Sequence, residues 1–255
     1  MKQSRYQSAT IKPIVKLGVI LAALAATGCA TMPQEYGDPR DPWQPYNRAM
    51  FKFNTDFDNA FIKPTAQAYQ KVTPEPVNRG VTNFFDNIAD LTSAVNNLLQ
   101  FKVSRTGSDV GRILVNSTVG VLGIFDVATN LGIPSYKEDF GQTLGYWGFA
   151  NGPYFVMPII GPSTVRDTLG FAGDVAVDPF YSINKNEIYW GFIAVRVIDK
   201  RAGLLTASAI FNEAAIDRYS FVRDAYLQRR ANQVRDGDPS DDVIDPEAWD
   251  LDFAD

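Results

Sequence analysis

The sequence predicts an all-α protein whose amphipathic helices lie in one leaflet of a membrane. Three observations carry that expectation. Apolar residues recur at helical spacing in segment after segment of the body. No apolar run is both long enough and free enough of charge to span a bilayer, which takes about 20 residues. The chain opens on a basic stretch and a short apolar run, followed by its single cysteine, Cys29.

Residues 1–28 contain Lys2, Arg5, Lys12 and Lys16 and no acid, and the run 17–26 reads LGVILAALAA. A basic start, a short apolar core and small residues after it describe a signal peptide. Thr27-Gly28-Cys29 resembles the last three positions of a bacterial lipobox, with Ala26 where leucine is usual. A lone thiol in an oxidising compartment is otherwise a liability, so Cys29 is the expected lipid-attachment residue. One acyl chain anchors only marginally, whereas the three of a bacterial lipoprotein cysteine would hold the protein permanently. Ala30, in place of the aspartate that retains lipoproteins at the inner membrane, points to the inner leaflet of the outer membrane, facing the periplasm.

Residues 29–44 are expected to form a lipidated linker, since 31–45 hold four prolines and a glycine. A helical body of 45–235 follows. Tyr46, Met50, Phe53, Phe57 and Phe61 mark one unusually aromatic helical face, which Pro64 is expected to interrupt before a short piece to Val72. Pro74 and Pro76 open the next helix, 76–100, with Val77, Val81, Phe84, Ile88, Leu91 and Leu98 in its apolar stripe. Its other side holds Asn78, Asn83, Asn87, Asn96 and Asn97, where a solvated helix would use the better helix formers Glu and Lys. That side is therefore expected to face a wet passage, another helix or lipid headgroups.

Residues 110–131 are apolar and as long as a span, yet they enclose Arg112, Asn116 and Asp126. Each charge at mid-bilayer costs about 2.5–3.5 kcal/mol, so two short helices bent near Gly120 or Gly123 are expected instead. Residues 138–170 are broken by glycines and by Pro153, Pro158 and Pro162, which predicts loop, with Ser163 capping a helix through Leu169. Two further helices are expected at 186–208 and 213–234. Arg223, Arg229 and Arg230 near the end of the second suit either the helix dipole or a headgroup phosphate. The tail 236–255 carries nine acids and no base and is expected to be disordered.

Composition removes whole classes of chemistry. The chain has no histidine, which excludes Ser-His-Asp and Cys-His mechanisms, and one cysteine, which excludes a thiolate zinc cluster. Outside its two ends the chain is nearly neutral, so no basic stripe invites nucleic acid. No metal and no cofactor is implied, and no catalytic residue stands out.

Several ordered motifs resemble the MlaA (VacJ) lipoprotein family. They are DPWQPYNRAMFKFN, with Asp41, Asn47, Arg48, Phe53 and Asn54 at marker positions; PEPVNRGVTNFFDNI; FGQTLGYWGFANGPYFVMPIIGPSTVRDTLG; and DRYSFVRDAYLQRR. The resemblance runs from about Asp41 to Arg230. It implies a disc of helices in one leaflet with a central amphipathic passage. It also implies association with a trimeric porin, and removal of phospholipid misplaced in the outer leaflet to a soluble periplasmic carrier, which keeps the outer membrane asymmetric. The asparagines of 76–100 then become candidate lining of the passage, and the three arginines candidate headgroup contacts. Two other readings compete. One is a scaffold lipoprotein that organises porins without moving lipid. The other is a hydrolase using carboxylates among Glu138, Asp139 and Asp167.

Overall fold

The computed structural model describes residues 37–182, 186–214 and 216–237. The expected signal peptide, Cys29 and the acidic tail beyond Gly237 lie outside the described residues. Within them the chain forms ten α-helices and one two-stranded hairpin.

Helix α1 (Gln44–Phe57) runs through a π-turn (Asp58–Ile62) straight into α2 (Lys63–Val72). Pro64 therefore does not interrupt the helix as expected. The Lys63 N–H reaches back five residues to the Asp58 carbonyl, and this widened turn absorbs the misfit that a proline ring brings to a helix interior. Helix α3 (Glu75–Leu99) occupies the expected segment, with Pro76 in its first turn. Helix α4 (Val103–Thr118) packs against it and begins well before the expected Val110. Its inward face is polar, with Asp109, Arg112 and Asn116 buried, so an apolar period could not mark where it starts.

The bend after α4 falls where the glycines place it. Gly123 has φ +89°, but Val121 and Leu122 precede it at 52° and 57°, a left-handed region that β-branched and other bulky residues rarely enter. Only one turn of helix follows, α5 (Val127–Asn130), its first turn capped by the Asp126 carboxylate, which accepts from the Thr129 N–H. Then come α6 (Phe140–Tyr146), capped by Asp139, and the antiparallel strands β1 (Tyr154–Met157) and β2 (Gly161–Thr164). The hairpin corrects the expectation of loop alone. Thr164, and not Ser163, caps α7 (Val165–Val177) by accepting from the Asp167 N–H. Helix α7 runs past Leu169 because Gly170 seats it on α6, where an added Cβ would lie 2.3 Å from the Gly141 nitrogen.

One expected helix is two, α8 (Asn186–Gly203) and α9 (Leu205–Ala214), broken at Leu204. The last, α10 (Arg218–Val234), is capped by Asp217, which accepts from the Tyr219 and Ser220 N–H groups.

Two asparagines explain why so short a hairpin holds. From α1, Asn47 donates to the Tyr154 carbonyl (3.0 Å) and accepts from the Val156 N–H (2.9 Å). One further stretch along the same face, Asn54 donates to the Met157 carbonyl (2.9 Å) and accepts from the Ile159 N–H (2.7 Å). Their carboxamides do for β1 what a neighbouring strand would do. Asp41 accepts from Asn47 Nδ2 and from the Tyr219 hydroxyl, tying α1 to α10. Tyr154, Val156, Tyr219 and Leu227 form a small apolar core beneath.

Candidate functional site

The α3–α4 pair is polar inside and apolar outside. Asp90, Asn96, Asn97, Asp109, Arg112 and Asn116 are buried, while Leu91, Leu98, Val110 and Leu114 are exposed. The interior is a connected network. Arg112 Nε donates to Asp90 (3.0 Å), its Nη2 to Asp126 (3.2 Å) and its Nη1 to the Ile133 carbonyl (2.9 Å). Burial works against an ionised Asp126, yet hydrogen bonds from Thr129 and Asn116 and the charge of Arg112 bring it down to about 2. For Asp109 burial wins and raises it to about 6, although Asn97 and the Tyr136 N–H donate to it. Asp174 is likewise pushed up to about 6 by burial, against donation from the Phe140 N–H and Asn96.

Each candidate lining residue of α3 has a definite place. Asn78 is half-buried beside Tyr69. Asn83 donates to the Ile124 carbonyl (3.0 Å) and Asn87 to the Ser117 hydroxyl (3.0 Å). Asn96 donates to Asp174 (3.2 Å) and accepts from Thr143 (2.7 Å). Asn97 donates to Asp109 (2.8 Å). The asparagine side thus faces α2 at Asn78 and α4, α6, α7 and the bend beyond it, so that other helices are among its surroundings. Oδ1 of Asn87 and Oδ1 of Asn97 are buried and accept no hydrogen bond from the described residues.

The arginines of α10 part company. Arg230 is buried between two carboxylates, at 2.6 Å from Asp139 and 2.9 Å from Asp167. Arg223 is buried against Asp41 (3.4 Å) and Asp224 (3.0 Å). Both build the interior, and Arg229 remains as the exposed member. The acids weighed as a catalytic pair are spoken for. Asp139 and Asp167 are held below the usual carboxylate range by Arg230 in spite of burial. Burial pushes Glu138 upward, against hydrogen bonds from Gln100 and Lys102.

Outside the polar interior lies an apolar groove of about 760 Å³ between α3, α8 and the bend, lined by Val81, Phe84, Ile124, Phe125, Phe192 and Val195 among others. Phe180 and Phe192 stack behind it at 4.7 Å between ring centres. Sequence reasoning missed this groove, because its walls come from three separated segments. The protein surface carries further large apolar side chains: Phe101, Val119, Leu122, Phe125, Leu131 and Trp190 are each at least 60% exposed. Helix α8 shows the inversion most plainly. It exposes Trp190, Val195 and Val197 and buries Asp199, which accepts from Tyr69 (3.1 Å) and Thr82 (3.0 Å).

A helical protein that buries its carboxylates and carboxamides and turns its aromatic and aliphatic side chains outward is a lipid-facing protein. Among the described residues no helix is long and apolar enough to cross a membrane. Residues 39–233 match the MlaA lipoprotein family, and the chain belongs to it. It is 32% identical over 227 residues to the intermembrane phospholipid transport system lipoprotein MlaA of Escherichia coli K12, covering 84% of this chain and 88% of that one. An uncharacterised protein of Rickettsia felis is 35% identical over 196 residues, covering 76% of this chain and 78% of the relative. A solved structure described as the structural basis for maintenance of bacterial outer membrane lipid asymmetry superposes with a TM-score of 0.67 at 32% identity, covering 76% of this chain and 98% of that one.

Proposed function

We propose that this chain is an outer-membrane phospholipid-transport lipoprotein. It removes phospholipid mislocalised in the outer leaflet and passes it to a soluble periplasmic carrier, from a seat in the inner leaflet beside a trimeric porin. The observation that carries this reading is the apolar groove between α3 and α8 on a body that buries an ion-pair network and exposes large apolar side chains. Drawing two acyl chains of some 30 methylenes into water costs on the order of 24 kcal/mol at roughly 0.8 kcal/mol each. A groove that shelters chains while polar groups wet the headgroup lowers that barrier with no covalent step.

The polar half of the route is assigned to the α3 asparagines. Asn87 and Asn97 keep an unengaged buried acceptor each, open to water or a headgroup donor. Asn78 and Asn83 lie nearer the surface, and Asn96 orders its neighbours through Thr143 and Asp174. Lipidation of Cys29 supplies the placement, and Arg229 is the arginine of α10 left to meet a headgroup. Binding and positioning suffice for this work, so the activity is non-enzymatic.

Deleting the gene tests the proposal. Outer-leaflet phospholipid rises in the deletion strain and falls again on complementation. An unchanged outer leaflet contradicts it.

A further inference from the structure

A second cavity, of about 480 Å³, lies between α1, β1–β2, α9 and α10 and shares no lining residue with the groove. One wall is apolar: Phe51, Val156, Leu204 and Val222. The other carries Arg201 and Arg218, with Asp58 and Asn59 from the π-turn. A π-turn is a common mark of a functional site, and this one is what presents Asp58 and Asn59 to the cavity.

The charges there do not balance. Arg201, mostly buried, gives Nε and Nη2 to Asp58 (2.8 and 2.9 Å) and Nη1 to the Ser208 hydroxyl (3.1 Å). A guanidinium has five N–H donors, so one on each terminal nitrogen is left over. Arg218 stands at the cavity rim and makes no hydrogen bond or ion pair among the described residues. Among the described residues the lining thus holds two cations, Arg201 and Arg218, and one carboxylate, Asp58, beside an apolar wall. Two apolar residues of the lining, Leu204 and Phe221, are also exposed at the surface.

We infer that this cavity is a phosphate-binding lipid site, in which Arg218 and the spare donors of Arg201 hold the phosphate of a phospholipid headgroup while an acyl chain lies along Phe51, Val156 and Leu204. Guanidinium groups suit phosphate because of their planar, multiply donating geometry. The inference rests on the reading of the chain as a phospholipid handler. It adds a headgroup station separate from the α3–α8 groove.

The test uses full-length protein carrying Gly191→Trp, which fills the groove and removes its lipid from the signal. Titration with dihexanoyl phosphatidylglycerol, dihexanoyl glycerol and inorganic phosphate is followed calorimetrically. The phosphatidylglycerol binds, and Arg218→Gln weakens it about tenfold, the usual scale of a lost charge-assisted hydrogen bond. Dihexanoyl glycerol, without phosphate, binds weakly and ignores the substitution. Arg201→Lys, which keeps its charge toward Asp58 but loses the planar fork, also weakens binding of the phosphatidylglycerol and leaves that of dihexanoyl glycerol unchanged. Equal binding of the two lipids, or indifference to Arg218→Gln, overturns the site. Inorganic phosphate binding as tightly as the lipid overturns the headgroup assignment. Either failure leaves the deletion phenotype untouched, so it is distinguishable from failure of the transport reading.

Discussion

Arg112 and Asp90 meet at 3.0 Å where α3 crosses α4, with the carboxylate fully buried and the arginine 5% exposed. In a water-soluble helix pair that position would belong to leucine. Here the charges are inside because the outside is apolar, and the pair is tied further to Asp126, Ser135 and Lys137. Replacing Arg112 by leucine leaves two carboxylates facing each other without their shared cation. Removing one partner of a buried pair costs about 3–5 kcal/mol. Thermal unfolding in detergent reads this as a large loss of stability, and a change under 1 kcal/mol (within the spread of ordinary surface substitutions) would show that the pair is dispensable.

Gly170 is the contact point of α6 and α7. Its added Cβ would meet the Gly141 nitrogen at 2.3 Å and its Cα at 2.5 Å. Both are backbone atoms and cannot swing away, so Gly170→Ala forces the helices apart. Overpacking of this kind costs about 1–3 kcal/mol. Gly203→Ala, where nothing lies within 4 Å, serves as the control and leaves the unfolding temperature unchanged or slightly raised.

Asp174 gives the fold a pH dependence. Burial raises it to about 6 from 3.8, so between those values the folded state binds more protons than the unfolded one. Stability therefore falls as pH rises from about 4 to about 6 and levels off above. Asp174→Asn keeps acceptors for the Phe140 N–H and Asn96 and has no charge to bury. At pH 7.5 it is more stable than the parent by about 1–2 kcal/mol, taking ~1.4 kcal/mol per pH unit and discounting for partial exposure. At pH 4 the difference vanishes. Asp109, also at about 6, leaves part of the slope in the variant.

Leu122 stands 68% exposed at the tip of the left-handed bend, between exposed Val121 and Phe125. Burying a leucine in an apolar medium contributes about 1.5–3 kcal/mol. In protein with Cys29→Ser, which removes the acyl anchor, Leu122→Asp lowers partition into phospholipid vesicles at least tenfold. Equal partition would place the bend away from lipid.

Some of this was legible in the residues and some was not. Helix α3 was readable because its apolar positions keep strict spacing, and its asparagine side was conspicuous because asparagine is a poor helix former. The start of α4 was hidden because the side it buries is Asp109, Arg112 and Asn116, and a search for apolar period looks for the opposite. The hairpin was hidden for another reason. Its strands are four residues each and hold Pro162, and they are held by asparagines 103 and 107 residues away. Asn47 and Asn54 stood out only by family likeness, which gave no hint of what they bind. The groove was invisible because Ile124, Phe84 and Phe192 are brought together only by the fold.

The most direct measurement of the central claim fills the groove. Gly191 lines it, and its Cβ position has nothing within 4 Å, so Gly191→Trp adds bulk to the groove without disturbing α8. Outer-leaflet phospholipid is then quantified in a deletion strain complemented with this variant at parental protein levels. The account predicts that phospholipid stays as high as in the uncomplemented deletion. Full restoration of the outer leaflet by Gly191→Trp would contradict it.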